Sequence, residues 1–132
     1  MGRKVLLISR KNNELKEIQK LLSINNYEHH LLDSIDQIEA ALSPISSNCI
    51  IFDLDSIDVD NRTIRELTLN YPAVYFLCMS KDRFHPELKD AICYHIYACL
   101  TKPLDFDELL YWLRCIEAEL DLDPSATPKD SR

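Results

Sequence analysis

The middle of the chain reads CIIFDLDSIDVDN over residues 49–61, and this stretch decides the fold. Its first four residues are apolar without interruption, which is typical of a strand buried on both faces of a sheet. A carboxylate, Asp53, follows at once, and a loop rich in aspartate comes after it. In an open parallel sheet, ligands bind beyond the carboxyl ends of the strands. We therefore predict a buried strand that ends at Asp53 beside a functional site.

Apolar runs of the same kind recur along the chain, and helical patterns separate them. Strands are predicted over residues 5–8, 27–32, 49–52, 74–79 and 96–100. Apolar residues at helical spacing predict helices over residues 12–24, 34–44, 62–70, 85–94 and 105–120. Strict alternation of strands and helices predicts an α/β fold, a three-layer, doubly wound sheet of five parallel strands with helices on both faces. The strands ending at Ile8 and Phe52 are expected at its centre, and the more polar 27–32 at an edge.

Length and composition narrow the possible functions. The 132 residues fit one domain, predicted over 1–120, and the Pro-, Ser- and Asp-rich stretch 121–132 is expected to be a tail or linker. The net charge of −7 argues against binding to nucleic acid or to an anionic membrane, since both need a basic surface. Gly2 is the only glycine, which excludes P-loop and Gly-rich dinucleotide sites. The five cysteines contain no CxxC pair, which favours reduced thiols in a cytoplasmic protein over a zinc site.

Candidate site residues are those that follow the predicted strands, because these positions share one edge of the sheet. They are Ser9, Arg10, Asp53, Asp55, Cys78, Ser80, Lys102 and Pro103. A carboxylate at the end of a buried strand, with a Lys-Pro pair after a nearby strand, is an uncommon combination and indicates a functional site. A purely structural ion pair between Asp53 and Lys102 is the alternative.

Over residues 4–120 the sequence resembles the receiver domain of two-component response regulators. The family's phosphoacceptor loop is a hydrophobic strand, an aspartate and a second aspartate seven positions on, which Asp53 and Asp60 match without a gap. Lys102-Pro103 matches the family's Lys-Pro, whose peptide bond is typically cis. The resemblance implies a CheY-like, flavodoxin-like sheet with strand order 2-1-3-4-5. It also implies that Asp53 stands at the phosphoacceptor position and that Lys102 balances the phosphate charge.

One departure from the family pattern concerns the metal. Family members carry two acidic residues directly after the first strand, which hold Mg²⁺, and this chain has Ser9 and Arg10 there. Our hypothesis is that Arg10, together with Lys102, binds the Asp53 carboxylate and takes the metal's electrostatic role. The alternative is that Arg10 points to solvent. No cofactor or metal is expected, although weak Mg²⁺ binding at Asp53 and Asp55 would be needed if the domain is a conventional phosphoacceptor.

A second departure lies at the end of the fourth strand. Cys78 aligns with a Thr or Ser that hydrogen-bonds the phosphoryl group in the family, and a thiol is a weaker donor. Ser80 could substitute only if the strand register shifts. A small flavodoxin-like hydrolase with Cys78 as nucleophile belongs to another class of function. A cysteine phosphatase loop needs five residues between Cys and Arg, whereas Arg83 follows Cys78 after four, and the loop has no glycine. We therefore expect no enzyme activity.

The last predicted helix offers a candidate interaction surface. Tyr111, Trp112 and Cys115 lie away from its inward stripe or at the margin of it, although Trp112 could simply flank the core. Exposed aromatic residues on an acidic domain favour a protein partner: a histidine kinase, an effector domain or a second copy of the chain. The leading interpretation is an atypical receiver (a pseudo-receiver) that signals through protein contacts. The main alternative is a conventional receiver phosphorylated on Asp53 by a histidine kinase.

Overall fold

The computed structural model describes residues 4–10, 12–45, 49–57, 60–81 and 96–122. Its strands are β1 (Lys4–Ile8), β2 (Glu28–Leu32), β3 (Cys49–Asp53), β4 (Tyr75–Ser80) and β5 (Ala98–Thr101). Its helices are α1 (Asn13–Ile24), α2 (Ile38–Ile45), which a 3₁₀ turn (Ile35–Gln37) precedes, α3 (Asn61–Asn70) and α4 (Phe106–Leu122). The helix predicted over 85–94 and most of the predicted tail lie outside the described residues.

The strands form one parallel sheet with the order β2-β1-β3-β4-β5, so the predicted fold class and strand order are confirmed. As expected, β1 and β3 lie inside the sheet and β2 lies at an edge. From Val5 to Ile8 and from Cys49 to Asp53, every residue is buried. Burial on both faces explains why these strands read as continuous apolar runs rather than as an alternating pattern.

Side chains that alternate along each strand supply two separate apolar clusters, one on each face of the sheet. On the first face, Ile50 and Phe52 pack with residues such as Ile38 of α2 and Ile64 of α3. The second cluster has these members in the strands and in α1 and α4: Val5, Leu7, Ile51, Tyr75, Leu77, Ile18, Leu22, Leu109 and Leu113. Since Ile51 belongs to the second cluster, alternation turns the Asp53 side chain toward the face that α1 and α4 cover.

Side-chain caps fix where the helices begin. The Asn12 side chain accepts a hydrogen bond of 2.8 Å from the backbone of Leu15 at the start of α1. Asp105 accepts bonds from the backbone N–H groups of Asp107 and Glu108 at 2.9 and 3.3 Å before α4. Asp60, the second aspartate of the central loop, caps α3, and the hydrogen bonds from Thr63 lower the pKa of this carboxyl.

Carboxylate–phenol contacts hold α4 against the amino end of the sheet. The Tyr75 and Tyr97 hydroxyls donate to the two oxygens of Glu119 at 3.1 and 2.6 Å, and Tyr27 donates to Glu117. Helix α4 continues to Leu122, two residues into the predicted tail. In the described part of the chain, no helix combines the length and the apolar character needed to cross a membrane.

Candidate functional site

Asp53 is a buried carboxylate at the end of the middle strand, with only 2% of its surface exposed. Its Oδ1 accepts a hydrogen bond from the Lys102 ammonium at 2.7 Å and another from the backbone N–H of Asp55 at 3.1 Å. Its Oδ2 lies 3.2 Å from the Ser9 hydroxyl. A buried charge is tolerated only when it is paired and hydrogen-bonded. The predicted meeting of Asp53 and Lys102 is therefore confirmed in its geometry.

Lys102 is the cation at the centre of this site, and its side chain is 11% exposed. Besides Asp53, its Nζ contacts Asp55 Oδ2 at 3.1 Å and Glu14 Oε1 at 3.3 Å. Burial alone would lower the pKa of Lys102, but the hydrogen bonds and charges of Asp53 and Asp55 outweigh it and raise that pKa above its ordinary value. Lys102 is therefore charged at neutral pH. The Lys102-Pro103 peptide bond is cis, as the family resemblance implied.

Glu14 is a member of the site that the sequence reasoning missed. It lies in the first turn of α1, which follows β1 at the carboxyl edge of the sheet, and its carboxylate reaches Lys102. Acidic residues in a first turn are usually explained by the helix dipole alone. The available signal was positional, because a helix that begins at this edge places its first side chains near the strand ends.

The Ser9 hydroxyl occupies the position directly after β1, and the Ser56 hydroxyl lies beside it. Ser9 is 1% exposed, and its Oγ lies 2.9 Å from the Arg10 carbonyl and 3.3 Å from the Ser56 hydroxyl, in addition to Asp53. The backbone N–H of Arg10 donates to Ser56 Oγ at 3.1 Å. A serine has a single hydroxyl hydrogen, so Ser9 can donate to either Asp53 or the Arg10 carbonyl at one time. Asp53 Oδ2 is therefore the less fully satisfied oxygen of this carboxylate.

The hypothesis that Arg10 binds the Asp53 carboxylate is wrong. The Arg10 side chain is exposed and lines a groove with Asp33 and Gln37 on the other side of β1. Within the described residues, the cation in contact with Asp53 is Lys102. The reason is the alternation of side chains in an extended segment: Ser9 points into the site, and the next residue points away from it.

The placement of Cys78 in the pocket is also wrong. Cys78 is completely buried in the first apolar cluster, and its register partner on β3 is Phe52 rather than Asp53. Strand β4 ends one residue later than predicted, at Ser80, which pairs with Thr101 of β5. The Ser80 carbonyl accepts a hydrogen bond of 2.9 Å from the backbone of Lys102. Ser80 is therefore the β4 residue whose backbone is joined to that of Lys102.

A cleft of about 610 Å³ opens above Asp53 at the carboxyl edge of the sheet. The residues that line it are Asn12, Glu14, Asp53, Asp55, Ser56, Lys81, Lys102 and Pro103. Asp55 reaches across it, since its Oδ2 accepts a hydrogen bond of 3.0 Å from the backbone N–H of Lys81. The cleft is thus lined by three carboxylates that all contact one ammonium group.

Two of the cysteines are too buried to act as nucleophiles. Burial raises the pKa of the Cys49 thiol to about 12. The pKa of the Cys78 thiol is raised well above its ordinary value, mainly by burial and to a lesser extent by the neighbouring Cys99. The reactive species of a cysteine is the thiolate. This further argues against a hydrolase that uses Cys78.

In the folded protein, we expect iodoacetamide at pH 8 to alkylate Cys49 and Cys78 roughly a thousandfold more slowly than in the denatured chain, because so little thiolate forms. Peptide mass spectrometry of a labelling time course measures this. The half-buried Cys115 serves as the internal reference. Equal labelling rates for Cys78 and Cys115 in the native protein would contradict the assignment of Cys78 to the core.

The candidate interaction surface on α4 combines one exposed residue with two half-buried ones. Tyr111 is 59% exposed and Cys115 is half-buried. Trp112 packs against the second apolar cluster, with its ring edge-on to Tyr97 at a centroid distance of 5.6 Å. The interpretation that Trp112 flanks the core is therefore confirmed. Because Trp112 is only half-buried, the partner surface of Tyr111, Trp112 and Cys115 stays a prediction.

The fold can be compared with solved structures, although no family model and no curated protein matches the sequence. The signal receiver domain of an HD domain-containing protein from Pseudomonas fluorescens is similar, with a TM-score of 0.80 at 24% identity over 96% of each chain. The chemotaxis response regulator CheY4 of Vibrio cholerae is also similar, with a TM-score of 0.71 at 18% identity over 88% of this chain and 99% of the other.

A co-crystal structure of the Saccharomyces cerevisiae phosphotransfer protein Ypd1 with the receiver domain of the response regulator Ssk1 contains a third match. Its TM-score is 0.70 at 15% identity, over 91% of this chain and 94% of the matched chain. The agreement extends over almost the whole length of each chain. The protein therefore has the fold of the receiver domains of two-component response regulators, with the buried pair of Asp53 and Lys102 at the carboxyl edge of its sheet.

Proposed function

We propose that this chain is a receiver-type signalling domain that acts through protein contacts and does not depend on Mg²⁺-assisted phosphorylation of Asp53. The observation that carries the proposal is the contact of 2.7 Å between Lys102 Nζ and Asp53 Oδ1. The same ammonium also contacts Asp55 and Glu14. The charge of the phosphoacceptor position is thus balanced by a side chain of the protein itself.

The side chains around Asp53 are a poor set of ligands for Mg²⁺. The ion prefers six oxygen ligands in a nearly octahedral array, with one or two carboxylates among them. Here the carboxylates of Asp53 and Asp55 already accept hydrogen bonds from Lys102 and from backbone N–H groups. The position after β1 contributes a serine hydroxyl. Within the described residues, no group of three or more metal-ligating side chains has a suitable arrangement.

A conventional phosphoacceptor domain is the second candidate, and Glu14 is the observation that favours it. Three carboxylates face one ammonium in the cleft, so the local charge is negative, which attracts divalent cations. Binding of Mg²⁺ would require Lys102 to release at least one carboxylate. Under this alternative, a histidine kinase or a phosphotransfer protein would phosphorylate Asp53.

Incubation with acetyl phosphate and Mg²⁺ separates the two candidates. We expect the intact mass of the protein to remain unchanged. Phosphoryl transfer needs a metal bound beside Asp53 to neutralise the developing charge, and under the proposal this pocket does not bind Mg²⁺. Asp53→Asn is the matched control, since it removes the acceptor and keeps the shape of the side chain. The mass of one added phosphoryl group in the wild type, absent from Asp53→Asn, would overturn the proposal and support the alternative.

The partner is proposed to be another protein: a histidine kinase, an effector domain or a second copy of this chain. The Ypd1–Ssk1 complex is an example of a receiver domain bound to a protein, which supports a protein partner in general. On α4, the exposed ring of Tyr111 is the most accessible part of the candidate surface. The net charge of −7 makes nucleic acid an unfavourable partner for this domain.

A further inference from the structure

Asp55 makes a contact in the cleft that is distinct from the pairing of Asp53. Its Oδ2 accepts two hydrogen bonds at once, from the backbone N–H of Lys81 at 3.0 Å and from Lys102 Nζ at 3.1 Å. Lys81 directly follows β4, and Lys102 directly follows β5. Because Ser80 and Thr101 are register partners, the two donors stand side by side at the edge of the sheet. Both are directed to a single oxygen.

A backbone N–H and an ammonium group that converge on one point form a binding position for an oxyanion. Both groups can only donate, and an ionised acceptor gives the stronger, charge-assisted hydrogen bond. The Asp55 side chain is 24% exposed and borders the cleft, so this position faces the space that an external anion would enter. The Asp55 carboxylate therefore occupies the position at which an external oxyanion would bind.

We propose that the Asp55 carboxylate is an internal occupant of this oxyanion position and excludes phosphate-type anions from the cleft. This deepens the proposed function, on which it rests, because it makes the pocket a site that is permanently filled from within. Asp55 acts in two ways. It competes at a high effective concentration, since it is covalently attached next to the donors, and its negative charge repels a second anion.

Removal of Asp55 should leave the position intact and open. Lys102 keeps Asp53 at 2.7 Å and Glu14 at 3.3 Å, so its ammonium remains charged and in place. The backbone N–H of Lys81 keeps its direction because β4 and β5 fix it through the Ser80–Thr101 register. The side chain of Asp55 belongs to neither apolar cluster, so its replacement should not unfold the domain.

The test is a titration with inorganic phosphate in the presence of EDTA, followed by the amide NMR shifts of Lys81 and Lys102. We expect no saturable shift in the wild type. In Asp55→Ala we expect saturable shifts at both amides, with phosphate bound about tenfold more tightly or better. Asp55→Asn should fall between them, because it keeps an acceptor oxygen and loses the charge.

Asp36→Ala is the matched control, because it removes the same charge from an exposed turn that does not line this cleft. Its phosphate affinity should equal that of the wild type. The proposal is overturned if Asp55→Ala binds phosphate no better than the wild type, or if Asp36→Ala gains as much. Since the titration contains no Mg²⁺ and no phosphoryl donor, either result is independent of whether Asp53 can be phosphorylated.

Discussion

Replacing Lys102 with alanine is expected to lower the free energy of unfolding at pH 7 by about 3–5 kcal/mol, because it leaves a buried carboxylate without its cation. Asp53 is 2% exposed, and Lys102 supplies its shortest contact. The same change leaves Asp55 and Glu14 facing Asp53 without a balancing charge. Urea denaturation followed by far-UV circular dichroism measures the loss.

The converse variant, Asp53→Ala, should cost far less, about 1–2 kcal/mol. Lys102 then keeps two carboxylate partners and remains paired. Lys102→Met is the matched control for packing, since it keeps an apolar stem of similar length and should be nearly as damaging as Lys102→Ala. Equal losses for Lys102→Ala and Asp53→Ala would contradict the view that one lysine balances the whole cluster.

The pH dependence of this effect has a definite sign. The pKa of Lys102 is raised in the folded protein, so its contribution is fully present below its unfolded-state pKa and disappears as the pH rises through the higher folded-state pKa. The stability difference between wild type and Lys102→Met should therefore stay constant from neutral pH to about pH 10 and shrink above it. A difference that already falls between pH 7 and pH 9 would contradict a charged lysine in the cluster.

The variant Ser9→Asp is expected to gain a Mg²⁺ site. A carboxylate would then follow β1 on the side that faces Asp53, since the Ser9 hydroxyl already lies 3.2 Å from Asp53 Oδ2. Without metal, the variant should be less stable than the wild type, because a new charge at the buried Ser9 position faces Asp53. With Mg²⁺ at a hundred times its Kd, it should regain about 2.7 kcal/mol.

Thermal unfolding with and without Mg²⁺ measures this gain. Ser9→Asn is the matched control, because it has the same shape without the charge and should show no response to the metal. An equal stabilisation of the wild type by Mg²⁺ would show that the native pocket already has a usable set of ligands, and it would contradict the account.

The fold could be predicted because its signals are strong and local. The continuous apolar runs that end at Ile8 and Phe52 are typical of strands buried on both faces, and strict alternation with helices indicates a parallel sheet. The meeting of Asp53 and Lys102 also follows from topology, since both come after strands whose carboxyl ends share one edge. What the pattern determines is which residues lie at that edge.

Side-chain direction and strand register could not be predicted in the same way. Cys78 and Ser80 are two residues apart, so alternation puts both on the same face, and the pattern cannot decide which of them ends the strand. The outward direction of Arg10 depends on Ser9 being turned inward, and a small polar residue gives no sign of that. Glu14 resembles an ordinary acidic residue of a first helical turn.

A titration of the wild-type protein with Mg²⁺, followed by the amide NMR shifts of Ser9, Asp53 and Asp55, tests the central claim most directly. The claim is that Lys102, rather than a divalent ion, balances Asp53. We expect only small, unsaturable shifts up to millimolar Mg²⁺, with and without beryllofluoride. Saturable shifts centred on Asp53 at low millimolar Mg²⁺ would contradict it.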